Sequence, residues 1–223
     1  MNFTFTYNAP WLLAEFETSQ RMLSWSITHP GFCINDRVAW LEVRNDDLNP
    51  NIDARDYMID KLKKDRLNGA LGLMTSRHIQ HHHFAESVKG FVKAQCLNTL
   101  GLSNGSHVGF PENEPVRQQL GTINSLCALN VSLSDGALIE ASSIATQART
   151  AALMDYYHRY IPQTPAITGT GTDCIVISCP NSASHTMFAG LHTNAGKAIG
   201  EAVYAATLEA VIVWHKTIQN MSV

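Results

Sequence analysis

TINSLCALNVSLSDGALIEASSIATQARTAALMDYYH, residues 122–158, decides the fold. Its first ten residues are almost wholly apolar or small, the composition of a strand buried on both faces. From about Asp135 to His158 alanine then recurs on an otherwise mixed helical pattern. A buried strand leading into a long Ala-rich helix belongs to a layered structure in which the helix packs close to a sheet. The same pairing returns downstream. Strands are expected at Asp173 to Cys179 and His185 to Ala189, followed by a helix from about Ala195 to Gln219. In that helix Ile199, Val203, Ala206, Ala210 and Val213 form one apolar stripe.

The first half reads differently. Phe3, Phe5 and Tyr7 alternate as an opening strand that Asn8 and Pro10 break, and Arg21 to Ile27 and Val38 to Val43 flank a His29-Pro30-Gly31 turn. That pattern is antiparallel. Asp53 to Arg66 is a charged surface helix ending at Asn68-Gly69. Gly69 to Thr75 and Val88 to Leu102 read as further strands, and Asn104 to Pro115 is a loop by composition. With no repeat, linker or charge block, residues 1–223 are expected to form a single domain. The expected class is α/β of the mixed α+β kind, with a mixed, largely antiparallel sheet packed by two long Ala-rich helices.

Composition narrows the function. Sixteen Lys+Arg against 19 Asp+Glu give a net charge of -3, so no basic field is present to hold nucleic acid. Only 16% of residues are charged, which fits a surface partly covered by a large uncharged ligand or by association into a homo-oligomer. The five cysteines, Cys33, Cys96, Cys127, Cys174 and Cys179, form no C-x-x-C pair and fit a reducing compartment. MNFTFTYNAPWLL lacks a basic start, and no apolar run is long enough to span a bilayer. A cytoplasmic protein without a membrane partner is expected.

Several junctions carry groups able to do chemistry. Thr168-Gly169-Thr170-Gly171-Thr172-Asp173 runs into an apolar strand, so glycine backbone N–H groups and one acid stand at its mouth. Ala189-Gly190-Leu191-His192-Thr193-Asn194-Ala195-Gly196 passes into the last helix, where His192 can act as acid or base and Thr193 or Asn194 as a cap. Ser103 and Asn104 in GLSN, and Thr122 and Asn124 in GTIN, add hydroxyls and amides at strand ends. Four of the ten histidines fall within Arg77-His78-Ile79-Gln80-His81-His82-His83. On a helix His78, His81 and His82 would share a face, but a solvated polar turn is the preferred reading and no metal site is assigned. Cys174 and Cys179 are expected in the core on opposite strand faces. Trp11, Trp25 and Trp40 are candidate walls of a pocket, with core packing the preferred reading of each.

Taken in order, the segments MLS (22–24), GLMT (72–75), GLSN (101–104), GTIN (121–124), ATQARTAAL (145–153), TGTGTD (168–173) and AGLHTNAG (189–196) resemble the adenosylcobinamide amidohydrolase (CbiZ) family of corrinoid salvage. The resemblance runs from about Arg21 to Ala210. It implies an amidohydrolase of cobalamin biosynthesis that cleaves, with water, the linear carboxamide joining the corrin propionyl group to aminopropanol. Adenosylcobinamide would become adenosylcobyric acid, with cobalt belonging to the substrate and no further cofactor. Read from the residues of these segments, Asp173, His192, Asn124 and Asn104 are the expected catalytic groups: Asp173 or His192 to activate water, the backbone N–H groups of 169–172 with Asn104 or Asn124 to hold the oxyanion, and His192 to protonate the amine. Ser24, Ser103, Thr122, Gly169, Gly171, Thr172 and Thr193 would bind substrate. A covalent route through Ser103, Thr122 or Thr193 is the mechanistic alternative. A corrinoid-binding protein without turnover, or an amidase for another amide, is the functional one. The chain departs from the family in Trp25-Ser26-Ile27-Thr28-His29-Pro30-Gly31, where small residues and a Gly-Gly pair are usual, and in its histidine run.

Overall fold

A computed structural model describes residues 3–44, 47, 52–109 and 121–221, with side chains to 218. Among the described residues, ten strands and three helices follow one another as β1 (Thr4–Asn8), β2 (Trp11–Trp25), β3 (Pro30–Glu42), α1 (Ala54–Lys64), β4 (Leu71–Thr75), β5 (His82–Lys89), β6 (Val92–Leu100), β7 (Gly105–Ser106), β8 (Ile123–Leu129), α2 (Asp135–Tyr160), β9 (Gly169–Thr170), β10 (Cys174–Pro180) and α3 (Asn194–Met221). The main sheet has the order β4-β3-β2-β10-β8-β6-β5, with β1 added beside β2. Its pairs are antiparallel except β3 with β4 and β8 with β10. The mixed, largely antiparallel sheet expected from the sequence is therefore present.

β8 is buried at every position, as its run of apolar and small residues requires. On one face, Cys127, Ile175 and Ile177 meet Ala141 and Ala145 of α2 and Ala198, Ala202 and Ala206 of α3. Alanine at these helix positions lets both helix axes approach the sheet closely. The other face encloses Leu12, Met22, Trp40, Leu97, Leu126 and Val176. There β1 leans across, with Phe3 just before it and its own Phe5 placing their rings 6.2 and 5.4 Å from Phe84 of β5. Asn124 Nδ2 of β8 likewise donates to the Met74 carbonyl of β4 at 2.6 Å, although three strands separate them in the sheet. The sheet thus coils around its second core.

Side-chain oxygens cap the first two helices. Asp53 accepts from the N–H groups of Arg55 and Asp56, and Ser134 from that of Ala137. Three expectations need correction. Val88 to Leu102 is not one strand: Gly90 adopts φ +60° and turns the chain, so β5 and β6 form a hairpin. His185 to Ala189 is not a strand, because only Thr186 makes an isolated bridge, with Leu133. The histidine run is neither helix nor turn throughout. His78 to His81 closes a turn, while His82 and His83 begin β5. Of the loop expected at Asn104 to Pro115, positions 110–115 lie outside the described residues. Cys174 and Cys179 do occupy the two opposite cores.

Candidate functional site

A cavity of about 450 Å³ opens where β8 and β10 begin. Its walls come from six places in the chain: Trp25 to Ile27 at the end of β2, Val43 after β3, Ala54 opening α1, Leu73 to Ser76 at the end of β4, Gly121, Thr122 and Asn124 at the start of β8, and Gly171 to Cys174 at the start of β10. Parallel pairing sets Cys174 opposite Asn124, which brings the TGTGTD and GTIN segments side by side. The coil of the sheet then lays GLMT over them. Thr122 Oγ1 lies 2.9 Å from the Thr172 carbonyl and 3.4 Å from Asn124 Oδ1, so its single proton can go to either.

Asp173 organises this end of the molecule. Its Oδ1 accepts from the Ile123 N–H at 2.8 Å and from the Thr170 hydroxyl at 2.5 Å, and its Oδ2 accepts from the Thr170 N–H at 2.9 Å. Oδ2 also pairs with Arg149 Nη1 at 3.1 Å, both side chains being about nine-tenths buried (10% and 8% exposed). The carboxylate's acceptor positions are thereby filled from β8, β9 and α2, which fits a clamp better than a base awaiting a proton. Gly169 pairs with Ser106 in the small β7–β9 ladder and lies against the same carboxylate. The Thr170 N–H, expected among the oxyanion donors of residues 169–172, is spent on Asp173.

The GLSN segment stands directly behind the cavity wall. A Cβ on Gly121 would come within 2.5 Å of Asn104 Oδ1 and 2.8 Å of Ser103 N, so only glycine admits this contact. Asn104 Oδ1 is buried without a hydrogen-bond partner. Asn104 and Ser103 back the wall rather than form it. Ser24 does not reach the cavity either: it accepts from the Ser26 N–H and donates to the His29 carbonyl, shaping the turn that carries Ser26 and Ile27 into place.

His192 and Thr193 are not brought to this site. Asp173 immediately precedes β10, whereas the AGLHTNAG loop follows its far end. There Asn194 lies against Gly90 in the β5–β6 turn, and Asn130, just beyond β8, bonds to Phe91 and Lys93. The seven residues of β8 separate the two ends by roughly 20 Å at about 3.3 Å per residue. Thr193 instead caps α3, accepting from the Gly196 N–H at 2.9 Å, and His192 is exposed. The convergence expected of Asn104, Asp173 and His192 therefore fails for the histidine, since a motif's place at a strand end does not say which end.

Charge is sparse around the cavity. Burial pushes the Cys174 thiol up to about 12, so it stays neutral there. Among the described residues no group of three or more His, Cys, Asp or Glu side chains is placed to hold a metal ion. The histidine run is dispersed: His78 faces Glu42 at 3.0 Å, while buried His83 faces Glu209 at 3.5 Å. Sequence reading missed Thr75, Ser76 and Ser26 as lining residues, and Arg149 as partner of Asp173. Arg149 did leave a signal, as an arginine within the Ala-rich face of α2. Trp11 and Trp40 are core, and of the three tryptophans only Trp25 lines the cavity.

Comparison with known proteins supports the family resemblance. The family model described as CbiZ, adenosylcobinamide amidohydrolase, matches residues 2–219. An uncharacterized protein of Methanocaldococcus jannaschii is 36% identical over 98 residues, 43% of this chain but only 38% of the relative. An adenosylcobinamide amidohydrolase of Methanosarcina mazei is 28% identical over 160 residues, covering 66% of this chain and 70% of the relative. Among solved structures, a protein from Pyrococcus horikoshii OT3 aligns at TM-score 0.47 and 10% identity, over 95% of this chain and 83% of that one. The L-aminopeptidase D-Ala-esterase/amidase of Ochrobactrum anthropi aligns at TM-score 0.45 and 12% identity, over 95% and 83%.

Proposed function

The chain belongs to the adenosylcobinamide amidohydrolase family, and from that membership we propose that it hydrolyses the aminopropanol amide of adenosylcobinamide to adenosylcobyric acid. The observation that carries this reading is where the family-like segments lie. GLMT, GTIN and TGTGTD line one cavity, MLS and GLSN buttress it, and ATQARTAAL supplies the Arg149 that holds Asp173. Only AGLHTNAG stands apart. The cavity offers hydroxyls, an amide and apolar surface, which match a neutral amide arm better than a charged substrate.

Of the mechanisms open to these residues, the geometry favours the covalent one through Thr122. Its Oγ1 bonds to the carbonyl carbon, the C–N bond breaks, and the hydroxyl proton ends on the departing amine. Water then cleaves the ester, releasing the corrinoid acid and regenerating Thr122. Asn124 has one amide N–H beyond that given to Met74, available to the oxyanion. Asp173 and Arg149 hold both groups in register as positioning residues. The whole of residues 1–223 acts as one domain in the cytoplasm, where its five cysteines stay reduced.

Incubating the protein with adenosylcobinamide and resolving products by chromatography and mass should yield adenosylcobyric acid and aminopropanol. Thr122→Val should lower turnover at least 10³-fold and Asn124→Ala about 10²- to 10³-fold, while Thr122→Ser keeps part of it. A change in the corrin spectrum with no released amine would replace hydrolysis by simple binding. Full turnover by folded Thr122→Val would remove Thr122 from the chemistry.

A further inference from the structure

The cavity is far smaller than the substrate proposed for it. At about 450 Å³ it falls at the lower part of the roughly 300–1,000 Å³ range that encloses drug-sized ligands, and a corrinoid is several times such a ligand. Only the amide arm can enter. The macrocycle must then lie outside, against whatever borders the opening.

Trp25 is that border. It lines the cavity yet remains 49% exposed. Its indole is not loose: Nε1–H donates to the Asp173 carbonyl at 2.5 Å, so the ring is fixed by the residue that also clamps the cavity. The β2–β3 ladder extends the surface. Leu23 sits opposite Phe32 and Trp25 opposite Pro30, so Trp25, Leu23 and Phe32 share one face of the ladder. α2 and α3 cover that face of the sheet over β10, β8 and β6 but leave Phe32 49% and Ile34 60% exposed. Exposed aromatic and aliphatic groups on adjoining strands, continuous with the cavity through one held indole, make a preorganised apolar platform.

Building on the proposed reaction, we propose that Trp25, extended by Phe32, is the platform on which the flat corrin ring rests while the aminopropanol arm reaches Thr122. Trp25 and Phe32 are then binding residues that favour whole corrinoids over small amides. The test compares adenosylcobinamide with an arm-only amide, N-(2-hydroxypropyl)propanamide. Equilibrium dialysis, read by the corrin's own visible absorbance, should show Kd for adenosylcobinamide rising about tenfold in Trp25→Leu and several-fold in Phe32→Ser. The ratio of kcat/KM for the corrinoid to that for the arm-only amide should fall in step. Trp25→Phe, which keeps a ring but loses the N–H tether, should lie between. Unchanged Kd in both Trp25→Leu and Phe32→Ser, with folding verified by circular dichroism, overturns the platform. If the unaltered protein itself fails to bind adenosylcobinamide, the reaction assignment falls instead.

Discussion

Asp173 illustrates what a single residue's neighbours do to its expected role. As an acid beside glycines at a strand mouth it had the credentials of a general base, and nothing local in the sequence shows that Arg149, 24 positions earlier, occupies it. The pair is long-range and buried, so its charge balance is set by tertiary packing. Asp173→Asn leaves the Arg149 guanidinium without its counter-charge, and Arg149 Nε already lacks a partner. A loss of about 3–5 kcal/mol is expected in urea unfolding, the usual cost of breaking a buried ion pair from one side. Arg149→Met combined with Asp173→Asn should recover part of it. Equal stability of the single variant and the unaltered protein would show the clamp to be unnecessary.

Elements were legible in proportion to how much of their pattern is local. α1, α2 and α3 announce themselves by caps and periodicity, and β8 and β10 by continuous apolar runs. The β5–β6 hairpin did not, because Val88 to Leu102 is apolar enough to pass for one strand. Gly90 was its sole punctuation. Thr186 bonds like a strand residue for a single bridge only, a contact supplied by Leu133 rather than by its own neighbours. The entry to α3 rests on another close contact. A Cβ on Gly196 would stand 2.2 Å from the Gly190 carbonyl oxygen and 2.5 Å from that of Ala189. Both obstacles are backbone, so Gly196→Ala must displace the loop from the helix. We expect about 1–3 kcal/mol of destabilisation by thermal or urea melting. Because this loop lies at the far end of β8, the remaining folded protein should keep its affinity for adenosylcobinamide.

Across the whole molecule, acid acts through histidines held neutral. Burial lowers the pKa of His215 below its ordinary 6.5, and its ring stacks on Tyr156 at 4.9 Å. Burial, helped by Arg55, lowers that of His29. A lowered folded-state value means that the unfolded chain binds more protons just below pH 6.5. Their contribution is therefore complete above that pH and is lost as pH falls through the folded values. Urea midpoints should drop between pH 7.5 and pH 5, and His215→Phe should flatten that drop. An unaltered slope would exclude His215 as a contributor.

Assembly of the site was the least legible feature. The TGTGTD and AGLHTNAG segments flank the same strand, β10, and so fall at opposite ends unless the connection doubles back, which it does not. Segments far apart in the chain, GLMT and GTIN, meet because the sheet rolls, a property no segment carries alone. The same rolling has a mechanical corollary. One amino acid's main chain anchors the indole at the rim, and its carboxylate anchors two backbone segments and a helix, so rim and floor move as a single rigid jaw. The opposite jaw is braced to it as well, since Asn124 of the floor donates to the Met74 carbonyl and the Val43 N–H to that of Thr75, so a bulky guest has to be met at the mouth rather than let in by widening.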